Sequence, residues 1–230
     1  MKFFKLALAA ATASVALGGA AMAQEVSLSY NVGIASDYVF RGVSQTNEDP
    51  QVFGGVDLGY GIGYAGVWAS NVDFGADDPS VEIDFYAGVK PTVGTTSFDF
   101  AVLYYGYSKD KGLTPGKYSY TELKAAVVQP IGKATVGGAL YYSPKYTGDV
   151  GSSLYYEVNA SYPLNDKLSL SGALGKQDYE DTDGYATWNV GATYAITGNL
   201  GLDLRYWDTA EHGWGDIYKS RVAATLKATF

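Results

Sequence analysis

From residue 216 to the end of the chain, apolar and polar side chains alternate. Tyr218, Val222, Ala224, Leu226, Ala228 and Phe230 share one face, with Ser220 their one polar member. Lys219, Arg221, Thr225, Lys227 and Thr229 share the other. A period of two specifies a strand with one apolar and one charged face. Chain ends ordinarily fray, but the last strand of a closed barrel pairs with the first and leaves no edge. The stretch therefore predicts a barrel-closing strand carrying Val222, Leu226 and Phe230. A half-buried strand of a sandwich is the alternative.

The same alternation returns along the chain. Val26, Leu28, Tyr30, Val32 and Ile34 oppose small or polar residues in a first strand placed at residues 25–40. Val81, Ile83, Phe85, Ala87 and Val89 oppose Glu82, Asp84, Tyr86 and Lys90 in a fourth, and Leu154, Tyr156, Val158, Ala160 and Tyr162 oppose Glu157 and Asn159 in an eighth. The phase of the third, residues 64–73, is ambiguous because Trp68 falls opposite Val67 and Ala69. Twelve such strands are predicted, each about as long as a tilted membrane strand requires. Tight turns follow the even-numbered strands and longer polar loops the odd-numbered ones.

That sorting is the pattern of an outer-membrane barrel, with short periplasmic turns, longer outer loops and both termini periplasmic. A sandwich has no reason to adopt it. Tyr60, Tyr142, Tyr162 and Trp207, near strand ends, suit interfacial girdles. The fold class expected is all-β, a single transmembrane antiparallel up-and-down barrel of about twelve strands.

Composition supports export. Lys2 and Lys5 precede an apolar run over residues 6–21, and Ala21-Met22-Ala23 fits a small-x-small cleavage site. Residues 1–23 read as a signal peptide and 24–230 as one barrel domain. Removing the signal takes two of the 16 basic residues, leaving 14 against 24 acidic ones and a net charge of −10. Mean hydropathy is −0.06, as expected where only every second residue meets lipid. The chain contains no cysteine.

The motif Ser36-Asp37-Tyr38-Val39-Phe40-Arg41-Gly42-Val43-Ser44-Gln45-Thr46 resembles the TorF family of outer-membrane porins. Further matches are Ala65-Gly66-Val67-Trp68-Ala69-Ser70-Asn71-Val72-Asp73 and Glu82-Ile83-Asp84-Phe85-Tyr86-Ala87-Gly88. Together they cover roughly the first third of the chain after the signal. The terminal Phe230 likewise resembles the closing residue of bacterial outer-membrane barrels. The resemblance implies an outer-membrane barrel with a pore, names no solute and supplies no catalytic residues.

In a barrel the inward positions carry function. Glu82, Asp84, Asp99, Glu122, Lys124, Glu157, Asp203, Arg205, Lys219 and Arg221 are the expected pore-lining residues. The acidic members come mainly from strands four to six and Arg205, Lys219 and Arg221 from strands eleven and twelve, so opposed walls would face each other across the lumen. They would either set up a transverse field or close the lumen by salt bridges. Asp37 and Arg41 are placed at the pore mouth, where their side chains would pair locally at the rim, in preference to reaching the mouth of the pore. The acidic loops at Asp77-Asp78 and residues 178–184 offer hard oxygens, but the second lacks the Glu that an EF-hand would place twelve residues on. No metal or other cofactor is expected.

Enzyme readings fare poorly. A barrel phospholipase would need a Ser–His pair, and the only histidine, His212, lies in a loop. Net charge disfavours nucleic acid. The expected function is passive diffusion of small polar solutes or ions with weak cation preference. The alternative is a closed structural or surface-interaction barrel. Expected partners are outer-membrane lipid and lipopolysaccharide, the solutes, and the barrel-assembly machinery through the last strand.

Overall fold

The computed structural model describes residues 26–75, 79–109 and 118–230. The expected signal peptide, residues 1–23, and the Asp77-Asp78 loop residues lie outside them. Twelve long strands form one closed antiparallel barrel. In order they are β1 (Val26–Ala35), β2 (Gln51–Tyr60), β3 (Gly63–Asn71), β4 (Val81–Val89), β5 (Thr96–Tyr107) and β6 (Tyr120–Ile131). There follow β7 (Ala134–Ser143), β8 (Ser153–Pro163), β9 (Leu168–Tyr179), β10 (Tyr185–Ala195), β11 (Leu200–Thr209) and β12 (Arg221–Thr229). Each pairs with its neighbours in sequence, and β12 returns to β1 with Asn31 opposite Thr229 and Ala35 opposite Thr225.

Phe230 completes the closure. It exchanges two backbone hydrogen bonds with Tyr30, at 2.9 and 3.1 Å. The two rings stack with centroids 5.3 Å apart. The seam between β12 and β1, which an open twelve-stranded sheet would leave as two edges, is thereby paired from Tyr30 to Ala35.

The alternation read from the sequence sets which side chains point out. Val26, Leu28, Val32, Ile34, Val56, Phe85, Val102, Val158, Leu174, Val190 and Leu204 all lie exposed on the outer wall. Water would penalise so large an apolar surface, whereas lipid tails accept it. The tight turns cluster at one end: Gly61, at the φ of +61° that the tight β2–β3 turn uses, is one of them. The longer connections gather at the other end.

Inward positions change along the barrel axis. Near the turn end Ser29, Asp57, Asn159, Ser171 and Lys227 are half-buried. Near the loop end Gln51, Glu82, Glu122, Ser143, Gln177 and Thr209 are buried. The lumen is thus a polar vestibule at the turn end and a filled core at the loop end.

Two expectations need correction, and the open phase of the third strand is resolved. Strand one ends at Ala35 rather than at residue 40, because the chain turns inward there. Lys219 does not line the lumen: β12 begins at Arg221, and Lys219 lies exposed in the preceding loop, paired with Asp216 at 2.6 Å. Trp68 faces inward, since it sits opposite Gly55 and Asp84 in the ladders.

Candidate functional site

The filled half of the lumen is built around segment 36–50. Val39–Phe40 pairs with Val43–Ser44 in a small hairpin. Its two-residue turn is Arg41-Gly42, with φ of +50° and +86°. Both central residues of a type I′ turn take positive φ, which explains the glycine. A Cβ on Gly42 would also collide with the side chains of Thr187 and Thr209. The tip is therefore pressed against the inner face of β10 and β11.

Arg41, at that tip, is buried and reaches across the lumen. Its Nη1 and Nη2 donate to the two carboxylate oxygens of Glu122 on β6, both at 2.8 Å. Nη1 also donates to Gln177 Oε1 on β9 at 2.9 Å. The guanidinium lies over the rings of Phe40, Tyr141 and Tyr155, with centroids 4.6, 4.9 and 4.3 Å away. A planar guanidinium is the group suited to a two-pronged carboxylate contact with stacking above and below. One side chain thus ties the hairpin to β6, β7, β8 and β9.

Asp37 holds the root of the hairpin. Its Oδ1 accepts from Ser44 Oγ at 2.6 Å and Thr46 Oγ1 at 3.0 Å. Its Oδ2 accepts from Arg221 Nη1 on β12 at 3.0 Å. Arg221 also contacts Glu48, at 3.3 Å. Asp37 and Arg41 are therefore not paired with each other at the rim. The turn at Arg41-Gly42 sends Arg41 into the lumen while Asp37 stays by the closing strand.

The remaining expected lining residues do point inward, and two ion pairs among them, Lys124–Asp99 and Arg205–Asp203, run along the wall and not across it. Lys124 pairs with Asp99 at 2.8 Å, and Tyr64 also donates to Asp99. Arg205 bonds Asp203, Asn189 and Ser171. Glu157 accepts from Tyr155 and Asn159. The opposed acidic and basic walls are not formed, because Arg205 and Arg221 are held locally and the counterion of Glu122 comes from the loop. Glu82 and Asp84 are buried on β4, where Tyr38 donates to Glu82 at 3.1 Å.

The sequence reading missed an aromatic roof at the loop end. Tyr105 and Tyr120 stack at 4.5 Å, Tyr120 meets Tyr146 at 4.5 Å, and Tyr146 meets Tyr179 at 5.5 Å. Tyr185 meets Trp214 and Tyr218 beside them. Burial, foremost, pushes the Tyr146 hydroxyl in loop 144–152 up to about 12, so it stays protonated. The signal was present: Tyr105, Tyr120, Tyr155 and Tyr185 occupy inward positions near the loop ends of their strands. His212 lies in the last loop and contacts Asp208 at 2.6 Å.

A model of bacterial proteins of unknown function, Gcw_chp, matches residues 19–230. The chain belongs to that family. Among curated proteins no sequence matches it. Solved structures with the same fold include the NanC porin, at 10% identity and a TM-score of 0.60, covering 89% of this chain and 99% of that one. The KdgM porin follows at 10% identity and 0.59, covering 88% and 98%. KdgM in complex with disordered oligogalacturonate matches at 9% identity and 0.59, again covering 88% and 98%. This Gcw_chp chain therefore has the fold of outer-membrane porins.

Proposed function

We propose that this Gcw_chp barrel is a porin-like channel of the bacterial outer membrane. It passes small polar solutes or ions by passive diffusion, through a lumen narrowed at its loop end by the Arg41 hairpin. The observation that carries the reading is the graded interior: a polar, half-exposed vestibule leading to a constriction made by a loop, not by the wall. A wall-filled barrel would need no inserted hairpin. The motif 36–46, on which the resemblance to TorF porins rests, forms that hairpin, which supports the same reading.

The termini and short turns face the periplasm, with lipopolysaccharide around the loops and the last strand presented to the assembly machinery. Ion preference is weakly cationic, because the chain beyond its signal carries a net charge of −10 and Arg41, Lys124, Arg205 and Arg221 in the lumen are each paired with a carboxylate. No catalytic role is assigned to His212. The oligogalacturonate of the KdgM complex is not carried over, since a polyanion would meet an acidic chain.

A closed barrel with a structural or surface role is the second reading. It is favoured by the tyrosine roof and the buried ring around Arg41. Reversal potentials of the refolded protein in a planar bilayer, under a salt gradient, separate the two. Discrete steps with a mildly cation-selective reversal are expected. Protein shown to be inserted but electrically silent would establish the closed barrel instead.

A further inference from the structure

Glu82 and Asp84 point into the lumen from β4, two residues apart and 1% and 9% exposed. Glu82 collects donors. Tyr38 Oη of the hairpin segment reaches it at 3.1 Å, and Tyr107 of β5 bonds it as well. Its third partner is Asp84, and two carboxyl groups hydrogen-bond only when one of them carries a proton. The Oδ1 of Asp84 is buried with no donor. An anion with such an oxygen is costly to bury, and a neutral acid much less so. The proton therefore sits on Asp84, which donates to the Glu82 carboxylate.

Nothing around the pair would offset a second charge. β3 presents Trp68 and Ser70 opposite it, and β5 presents Tyr105 and Tyr107. The hairpin segment contributes Tyr38, with Tyr146 of loop 144–152 beyond it. β6 contributes another anion, Glu122, whose counterion Arg41 is committed to it. Among the described residues no Lys, Arg or His pairs with Glu82 or Asp84. The hairpin covers this ground. Tyr38 packs edge-on against Trp68 at 5.4 Å and Phe40 against Tyr105 at 5.9 Å, the two residues that flank Asp84 in the ladders.

We propose that Asp84 is a proton-operated latch on the constriction: as a neutral acid it lets segment 36–50 close over β4, and its ionisation drives the segment off. While the segment is docked, a second charge would be buried beside the first. Once it lifts, lumen water solvates both. At a pH where the uncovered pair has lost both protons, docking must take one up again, so each further unit of pH weakens docking about tenfold until the docked pair itself ionises. The effect on current rests on the porin-like reading; the latch itself does not.

The test compares the refolded wild type in detergent with Asp84→Asn, whose amide keeps the volume and the donor to Glu82 but cannot ionise. Near neutral pH the wild type should show a protonated-carboxyl infrared band that the variant lacks, and the band should vanish as pH is raised. Over the same interval limited proteolysis should begin to cut within residues 36–50 of the wild type and not of the variant. Comparison at equal pH cancels any change in the protease. A heat-shifted gel band verifies folding first; should the variant not fold, the wild-type band and the cleavage must still titrate together. In a planar bilayer, wild-type conductance should step up over that interval while that of Asp84→Asn stays small. A wild type without the band, or cleavage that sets in equally in folded Asp84→Asn, would overturn the proposal. Current absent from both proteins while cleavage still titrates would remove the channel reading and leave the latch in place.

Discussion

Arg41 and Glu122 lie 81 positions apart and meet in a two-pronged ion pair, 2.8 Å at each contact. The pair joins a loop tip to the inner face of β6, with both side chains buried. Burying two charges is unfavourable by itself. It is sustained here by the third contact to Gln177 and by the aromatic rings that enclose the guanidinium.

Breaking the pair from one side strands the other charge. Arg41→Ala and Glu122→Ala are each expected to destabilise the docked hairpin by about 3–5 kcal/mol. The double variant should lose clearly less than the sum, because neither charge is then left alone. Urea unfolding in lipid vesicles, analysed as a double-mutant cycle, measures this coupling; additive losses would show that the two residues act separately.

Gly42 is constrained twice, by its φ of +86° and by the threonines beside it. Gly42→Val should cost on the order of 1–3 kcal/mol in backbone strain alone and should push the tip away from β10 and β11. Limited proteolysis then cuts within residues 36–50 of the variant while leaving the wild type intact. Equal resistance of both proteins would contradict the seating described for the tip.

The outer wall and the lumen make opposite demands on neighbouring residues of β8. Val158 is 61% exposed outward, and Asn159 faces in. Val158→Arg is expected to cost about 2–4 kcal/mol if it lies near the bilayer midplane, and Asn159→Arg much less. Folding equilibria of the two variants in vesicles give the comparison. Equal costs would mean that the outer wall does not meet lipid.

Phe230 closes the barrel with its backbone and its ring. Phe230→Ala retains the hydrogen bonds to Tyr30 and should lose about 0.5–1.5 kcal/mol for the stacked pair beyond its buried area. Deleting the residue removes both backbone bonds as well, so the folded fraction, read from the heat-shifted gel band, should fall further. A deletion no worse than the alanine variant would show that the ring alone matters.

Much of this architecture was legible in the sequence because a barrel writes itself in period two. Val81, Ile83, Phe85, Ala87 and Val89 fix the outer face of β4, and the position of Glu82 and Asp84 follows automatically. The closing role of β12 was equally visible in the run of apolar residues ending at Phe230. The constriction was harder to see. Val39 and Phe40 continue the strand-like composition of β1, so nothing in the alternation marks the inward turn except the Arg41-Gly42 dipeptide. Charge partners were also hidden: Arg41 and Asp37 are close in sequence, yet their counterions lie on β6 and β12, which only the closed barrel brings within reach. Trp68 shows the remaining limit, for an aromatic residue suits either a lipid interface or a lumen and its side is set by register with Asp84.

The most direct measurement of the central claim is single-channel conductance of Arg41→Ala beside the wild type, in the same bilayer and salt. Small, steady steps are expected from the wild type and larger, noisier ones from the variant, because the hairpin loses its anchor on β6 and β9. Indistinguishable conductance from two proteins both shown to be inserted would contradict it, and the constriction would then lie elsewhere than at Arg41.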